Sequence, residues 1–182
     1  MKSSVPLISF AGLKNTGKTT LITRLVELFA ARGLRVGCIK HDGHDFEVQS
    51  VDTDTGKYLT AGASVSMIAS RTGNVLAQWR KGAEPNLAEL ITRLGEVDLI
   101  MVEGYKELPI PKWVLLGSVD GYKEYNIPDF VKNADIVGHI AGFIVPTAPL
   151  KVADTNLPVY HRDDIAGIGF AIDLMMRIVR DD

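Results

Sequence analysis

A chain of 182 residues that is 46% hydrophobic can bury a substantial single-domain core and does not have the composition of a disordered protein. Its 20 basic and 22 acidic residues give a net charge of −2, which leaves no net-basic footprint for nucleic acid. The single cysteine, Cys38, rules out an internal disulfide and fits a reducing cytoplasm, and no run approaches the roughly 20 apolar residues that span a bilayer.

The opening stretch, MKSSVPLISFAG, is too short for the apolar core of a signal peptide. Within it, Val5–Ala11 reads as a buried strand. Lys18–Arg32 reads as a helix, with Leu21, Ile22, Leu25, Val26, Leu28 and Phe29 at helical spacing and Gly33 as its stop. Leu34–Ile39 reads as a second strand. Strand, loop, helix and strand in this order open a parallel α/β sheet. Residues 41–53 are polar and aperiodic and read as a loop, followed by a short helix from Asp54 to Ala61. Val65–Ala69 and Val75–Trp79, separated by SRTGN, read as an antiparallel hairpin. Asn86 with Glu89 forms a capping-box pattern for a helix to Leu94, stopped at Gly95. Leu99–Val102, Lys112–Leu116 and Ile140–Val145 read as further strands, Pro158–Tyr160 as a short edge strand, and Asp163 or Asp164 as the cap of a last helix. Residues 117–139 give no clear pattern. No linker divides the chain, so 1–182 is expected to be a single domain.

The loop between the first strand and helix carries the chemistry. Gly12, Gly17, Lys18 and Thr19 meet the pattern G-x-x-x-x-G-K-[ST]. Glycines let the backbone wrap a phosphate, and the helix start adds its positive end. The lysine reaches the outer phosphates and the threonine hydroxyl binds Mg²⁺. Asn15, Thr16 and Thr20 complete the nucleotide-binding stretch. The fold class this predicts is an α/β P-loop NTPase, a mostly parallel sheet flanked by helices with an antiparallel β-hairpin extension.

A Mg²⁺–nucleotide site also needs a carboxylate at the carboxyl end of a neighbouring strand. Glu103 follows the apolar run LIMV and meets that need; Asp98 begins the same strand and belongs at the opposite edge, with a structural role. The loop KHDGHDFE after the second strand emerges on the phosphate side. Lys40, His41, His44 and Asp45 there, with Asp52 and Asp54 beyond, are candidates for contacts to the terminal phosphate, the metal or a second substrate. Zinc is an alternative for the two histidines, although CxxC and HExxH are both absent. The guanine-reading pattern N-K-x-D is also absent; Lys151 and Asp154, after a late strand, are the candidates for base contact.

Taken in order, GLKNTGKTTL, IKHDGHDF, DTGKYLTAGA and DLIMVEGYK make residues 6–116 similar to the molybdopterin-guanine dinucleotide biosynthesis protein B family. The resemblance implies a GTP- and Mg²⁺-binding protein with weak GTPase activity. It also implies that the protein assists the guanylyltransferase that attaches GMP to molybdopterin, and that it is a homodimer in which antiparallel strands take part. By position, Gly12, Gly17, Lys18 and Thr19 carry over as phosphate and Mg²⁺ residues, Glu103 as the second metal-side carboxylate, and His41, His44 and Asp45 as the loop beside the nucleotide. Two other readings compete: a stand-alone ATP-dependent ligase or kinase of the dethiobiotin synthetase type, and a nickel metallochaperone, for which a His-rich tail is missing.

Overall fold

The computed structural model describes residues 5–41, 53–80, 82, 85–118, 125–147, 152 and 155–181. In chain order the elements are β1 (Leu7–Gly12), α1 (Lys18–Ala31), β2 (Val36–Lys40), α2 (Asp54–Thr60), β3 (Val65–Ala69), β4 (Val75–Trp79), α3 (Leu87–Arg93), β5 (Leu99–Glu103), β6 (Lys112–Leu115), β7 (Gly117–Ser118), β8 (Tyr125–Asn126), a 3₁₀ turn (Asp129–Lys132), α4 (Ala134–Val137), β9 (Ile140–Val145), β10 (Val159–His161) and α5 (Ile165–Asp181). They fall into two compact units, Met1–His41 with Glu96–Asp182, and Asp42–Gly95.

The first unit holds a six-stranded sheet in the order β10-β9-β6-β1-β5-β2, and every pairing in it is parallel. β1 is therefore central, with β5 on one side and β6 on the other. A sheet of this kind must be covered on both faces, and β1 and β6 alternate accordingly. Ile8, Phe10, Trp113 and Leu115 pack with Leu21, Leu25 and Phe29 of α1 and with Ile168, Ile172 and Met176 of α5. Val114 turns to the other face and packs with Val131, Ile140, Phe143 and Val145. α1 buries Leu21, Ile22, Leu25 and Phe29, a stripe at helical spacing. Each such side chain is worth about 1.5–3 kcal/mol when fully buried. Arg24–Asp163 and Arg32–Asp173 ion pairs, each 2.6 Å, tie α1 to the start and middle of α5. Asp164 caps α5 by accepting from the Gly167 N–H.

The second unit contains α2, the β3–β4 hairpin and α3. The hairpin forms a two-stranded antiparallel sheet of its own, with Val65 opposite Trp79 and Ala69 opposite Val75. Asn86 and Glu89 form the predicted capping box at α3. The described residues of 117–139, a stretch patternless in sequence, hold a pair of two-residue strands, a 3₁₀ turn and a four-residue helix. Elements that short complete no period, which is why the sequence does not display them.

Candidate functional site

The loop Leu13–Gly17 leaves β1 at the carboxyl edge of the sheet and turns directly into α1. Gly12 lies against β6: a Cβ there would sit 2.4 Å from the Leu115 carbonyl oxygen, so the strand next door demands glycine. Gly17, at φ +87°, is the N-cap of α1, and no side chain caps the first N–H groups of that helix. These groups and the positive end of a 14-residue helix make an anion site. Asn15 adopts φ +63°, a left-handed conformation that asparagine tolerates, and Thr16 Oγ1 donates to the Leu13 carbonyl at 3.0 Å, so the loop is held by its own residues. Thr20 is exposed in the first turn of α1.

Lys18 Nζ donates to the carbonyls of Leu13 at 2.7 Å and Gly12 at 3.3 Å, which folds the ammonium back over the loop. Partial burial pushes its pKa down, while Glu103 acts upward and Lys40 downward. The ammonium therefore feels both neighbouring strand ends. Thr19 Oγ1 donates to Glu103 Oε2 at 2.8 Å, across 84 residues of chain. The hydroxyl opening α1 and the carboxylate ending β5 meet because β5 lies beside β1 in the sheet.

Glu103 is followed by a sharp corner. Gly104 takes φ +100° and Tyr105 φ +48°; for a bulky residue such as tyrosine that conformation is an outlier. The Gly104 N–H donates to Phe10 O at 3.1 Å, and the His41 N–H donates to Glu103 O at 2.9 Å. A Cβ on Gly104 would lie 2.8 Å from the His41 carbonyl oxygen. The His41 and Tyr105 rings stack with centroids 4.4 Å apart, and burial pushes the Tyr105 hydroxyl pKa up. The ends of β2 and β5 are thus locked together beside the phosphate loop, with Lys40 and His41 exposed there.

The structure brings Gly12, Gly17, Lys18, Thr19, Lys40, His41 and Glu103 to one edge of the sheet. His44, Asp45, Asp52, Lys151 and Asp154 lie outside the described residues. Asp54 begins α2 in the second unit, exposed and 3.9 Å from Lys57. Asp98 sits at the opposite edge, where its carboxylate binds the Arg35 guanidinium at 3.0–3.1 Å and the Arg35 N–H at 2.8 Å. Among the described residues no three His, Cys, Asp or Glu side chains converge. The pair that does converge, one hydroxyl and one carboxylate, offers hard oxygen donors beside an anion site, which suits Mg²⁺ travelling with phosphates. Sequence reasoning passed over Ser9 and Lys112, and took Tyr105 only as part of the motif VEGYK and of the segment 103–109 on the phosphate side, without a role of its own. Each carried a signal: a serine inside VPLISFA, a lysine opening the apolar run KWVLL, and an aromatic residue straight after a strand-end glycine.

The family model described as molybdopterin guanine dinucleotide synthesis protein B matches residues 7–132. A Bacillus subtilis protein described as a probable molybdopterin-guanine dinucleotide biosynthesis adapter protein is 31% identical over 169 residues, 92% of this chain and 91% of its own length. The molybdopterin-guanine dinucleotide biosynthesis adapter protein of Escherichia coli is 38% identical over 117 residues, 63% of this chain and 67% of its own length. The crystal structure of Bacillus subtilis MobB matches with a TM-score of 0.62 and 28% identity, covering 94% of this chain and 96% of that one.

Proposed function

The chain belongs to the molybdopterin guanine dinucleotide synthesis protein B family, and from that premise we propose that it is a GTP-binding adapter in molybdenum cofactor biosynthesis. In this role it docks on the guanylyltransferase that joins GMP to molybdopterin, and it works in the cytoplasm, where Cys38 stays reduced. The observation that carries the reading is the 2.8 Å contact between Thr19 and Glu103 at the mouth of a glycine-bounded loop.

On binding, the N–H groups of the loop and of the first turn of α1 hold the phosphates. Lys18 exchanges the Leu13 and Gly12 carbonyls for outer phosphate oxygens. Thr19 and Glu103 are the residues that would hold Mg²⁺, directly or through water, and a bound ion would supply screening of the phosphate charge. Tyr105 and His41, with Lys40, face the terminal phosphate side and present the surface that the partner enzyme reads. Hydrolysis is slow: no arginine occurs between residues 41 and 54 to serve as a finger. Comparable P-loop proteins without one turn over on the order of 10⁻⁴ s⁻¹.

The same reading makes the protein a homodimer through its hairpin. Met67 and Val75 are 56% and 66% exposed on one face of the hairpin and Ile68 is 52% exposed on the other, apolar side chains that pairing with a second copy covers.

The test is purified protein with Mg²⁺ and either GTP or ATP, with and without the guanylyltransferase. Preferential GTP binding, slow turnover alone and stimulation of the partner's guanylyl transfer are the expected results. Turnover above about 1 s⁻¹ by the protein alone, on a small-molecule phosphate acceptor, would establish a stand-alone enzyme instead.

A further inference from the structure

Two polar side chains lie where the sheet is otherwise apolar. Ser9 of β1 and Lys112 of β6 are both 0% exposed, and they are register partners on adjacent strands. Their neighbours Phe10 and Trp113 point to the α1–α5 face, so Ser9 and Lys112 share the other face. A buried ammonium is costly unless its donors are satisfied. Lys112 Nζ donates to the carbonyls of Lys106 at 3.0 Å and Leu108 at 2.6 Å, and Ser9 Oγ donates to the carbonyl of Gly104 at 3.0 Å. All three acceptors belong to one segment, the connection 104–111 from β5 to β6.

That connection begins with the left-handed pair Gly104 and Tyr105. Backbone held in such a conformation persists only where its surroundings over-determine it. Ser9 grips the carbonyl on one side of the corner, and Lys112 grips the chain one and three residues beyond Tyr105. The corner in turn fixes the site: Glu103 precedes it, Tyr105 stacks on His41, and the His41 N–H donates to the Glu103 carbonyl.

We propose that Ser9 and Lys112 are positioning residues, a buried two-pronged clamp on the 104–108 backbone that holds Glu103, Tyr105 and His41 in place for the terminal phosphate and its metal. Neither touches the ligand. The clamp acts through Glu103 and rests on the reading of the loop as a nucleotide site. It explains why a lysine opens an apolar strand at a place where methionine would fill the same volume.

The experiment compares wild type, Lys112→Met and Ser9→Ala. Nucleoside triphosphate affinity is measured by calorimetry with Mg²⁺ and with EDTA, and amide hydrogen exchange is followed at Gly104 and His41. In Lys112→Met the Mg²⁺-dependent gain in affinity should fall about tenfold or more while the affinity in EDTA stays within about twofold. The Gly104 and His41 amides should exchange about tenfold faster. Ser9→Ala, which loses one hydroxyl, should change both in the same direction by about threefold, and it decides the matter if Lys112→Met does not fold. An undiminished Mg²⁺-dependent gain with unchanged amide exchange, or equal losses with and without Mg²⁺, would overturn the proposal. A wild-type protein whose nucleotide binding ignores Mg²⁺ would refute the functional reading instead, and amide exchange would still decide whether the clamp orders the corner.

Discussion

Lys18→Ala separates a phosphate-binding lysine from one that merely pins its own loop. In the structure the ammonium makes two hydrogen bonds, both to carbonyls of the loop, and the Leu13 carbonyl is exposed enough for water to replace it. Removing the side chain therefore costs the fold little, about 0.5–1 kcal/mol, because the shorter of the two bonds is to an exposed carbonyl and the part-buried one, to Gly12, is long at 3.3 Å. Binding is different. A charge-assisted contact from a partly buried ammonium to phosphate is worth about 1.5–3 kcal/mol, which converts to roughly 10- to 150-fold in affinity. The lysine of this motif reaches the β- and γ-phosphates, so the loss should appear for Mg²⁺–GTP and be nearly absent for GMP. Calorimetric titration of both nucleotides, beside a urea unfolding curve for each protein, reads the three quantities together. The reasoning fails if the folded variant binds Mg²⁺–GTP like the wild type, or if GTP and GMP lose affinity equally.

Three further outcomes follow from packing and charge. Gly142→Ala puts a Cβ 2.4 Å from the Trp113 ring and 2.5 Å from the Pro158 carbonyl oxygen; it should destabilise by about 1–3 kcal/mol or more, seen as a lower urea midpoint with nucleotide affinity unchanged at folding conditions. Ile68→Lys on the exposed hairpin should shift the sedimenting species from dimer to monomer at micromolar protein without affecting nucleotide binding. Burial lowers the Lys112 pKa. Below that value both folded and unfolded chains carry the proton and the fold bears the full desolvation cost. Above it the unfolded chain binds more protons, so stability rises with pH. Wild type should therefore gain on Lys112→Met as pH climbs toward the ordinary lysine value of about 10.4, measured as the difference between their urea midpoints.

The sequence by itself determined the parts whose signals are local. The glycine spacing around Lys18 gave the loop, the leucine and phenylalanine stripe gave α1, and the SRTGN turn between two β-rich runs gave the hairpin. The Asn86–Glu89 pair marked the start of α3 to the residue. Edges moved by one or two residues. β2 starts at Val36 rather than Leu34, and the edge strand starts at Val159 rather than Pro158, whose ring leaves no N–H for a ladder.

Tertiary structure decided what depends on strand order. Glu103 and Asp98 sit at the two ends of one apolar run, and their separation to opposite edges requires only that the sheet be parallel, so it was legible. The 2.8 Å contact of Glu103 with Thr19 was not, since it depends on β5 inserting between β1 and β2. Ser9 and Lys112 lie 103 positions apart in the chain and become neighbours only because β6 pairs with β1. Their purpose is invisible without the carbonyls of 104–108 passing over them. The left-handed Tyr105 is likewise a product of the fold: no local preference asks tyrosine to adopt φ +48°, and it holds there because long-range hydrogen bonds, formed after the chain has closed on itself, outweigh the local cost.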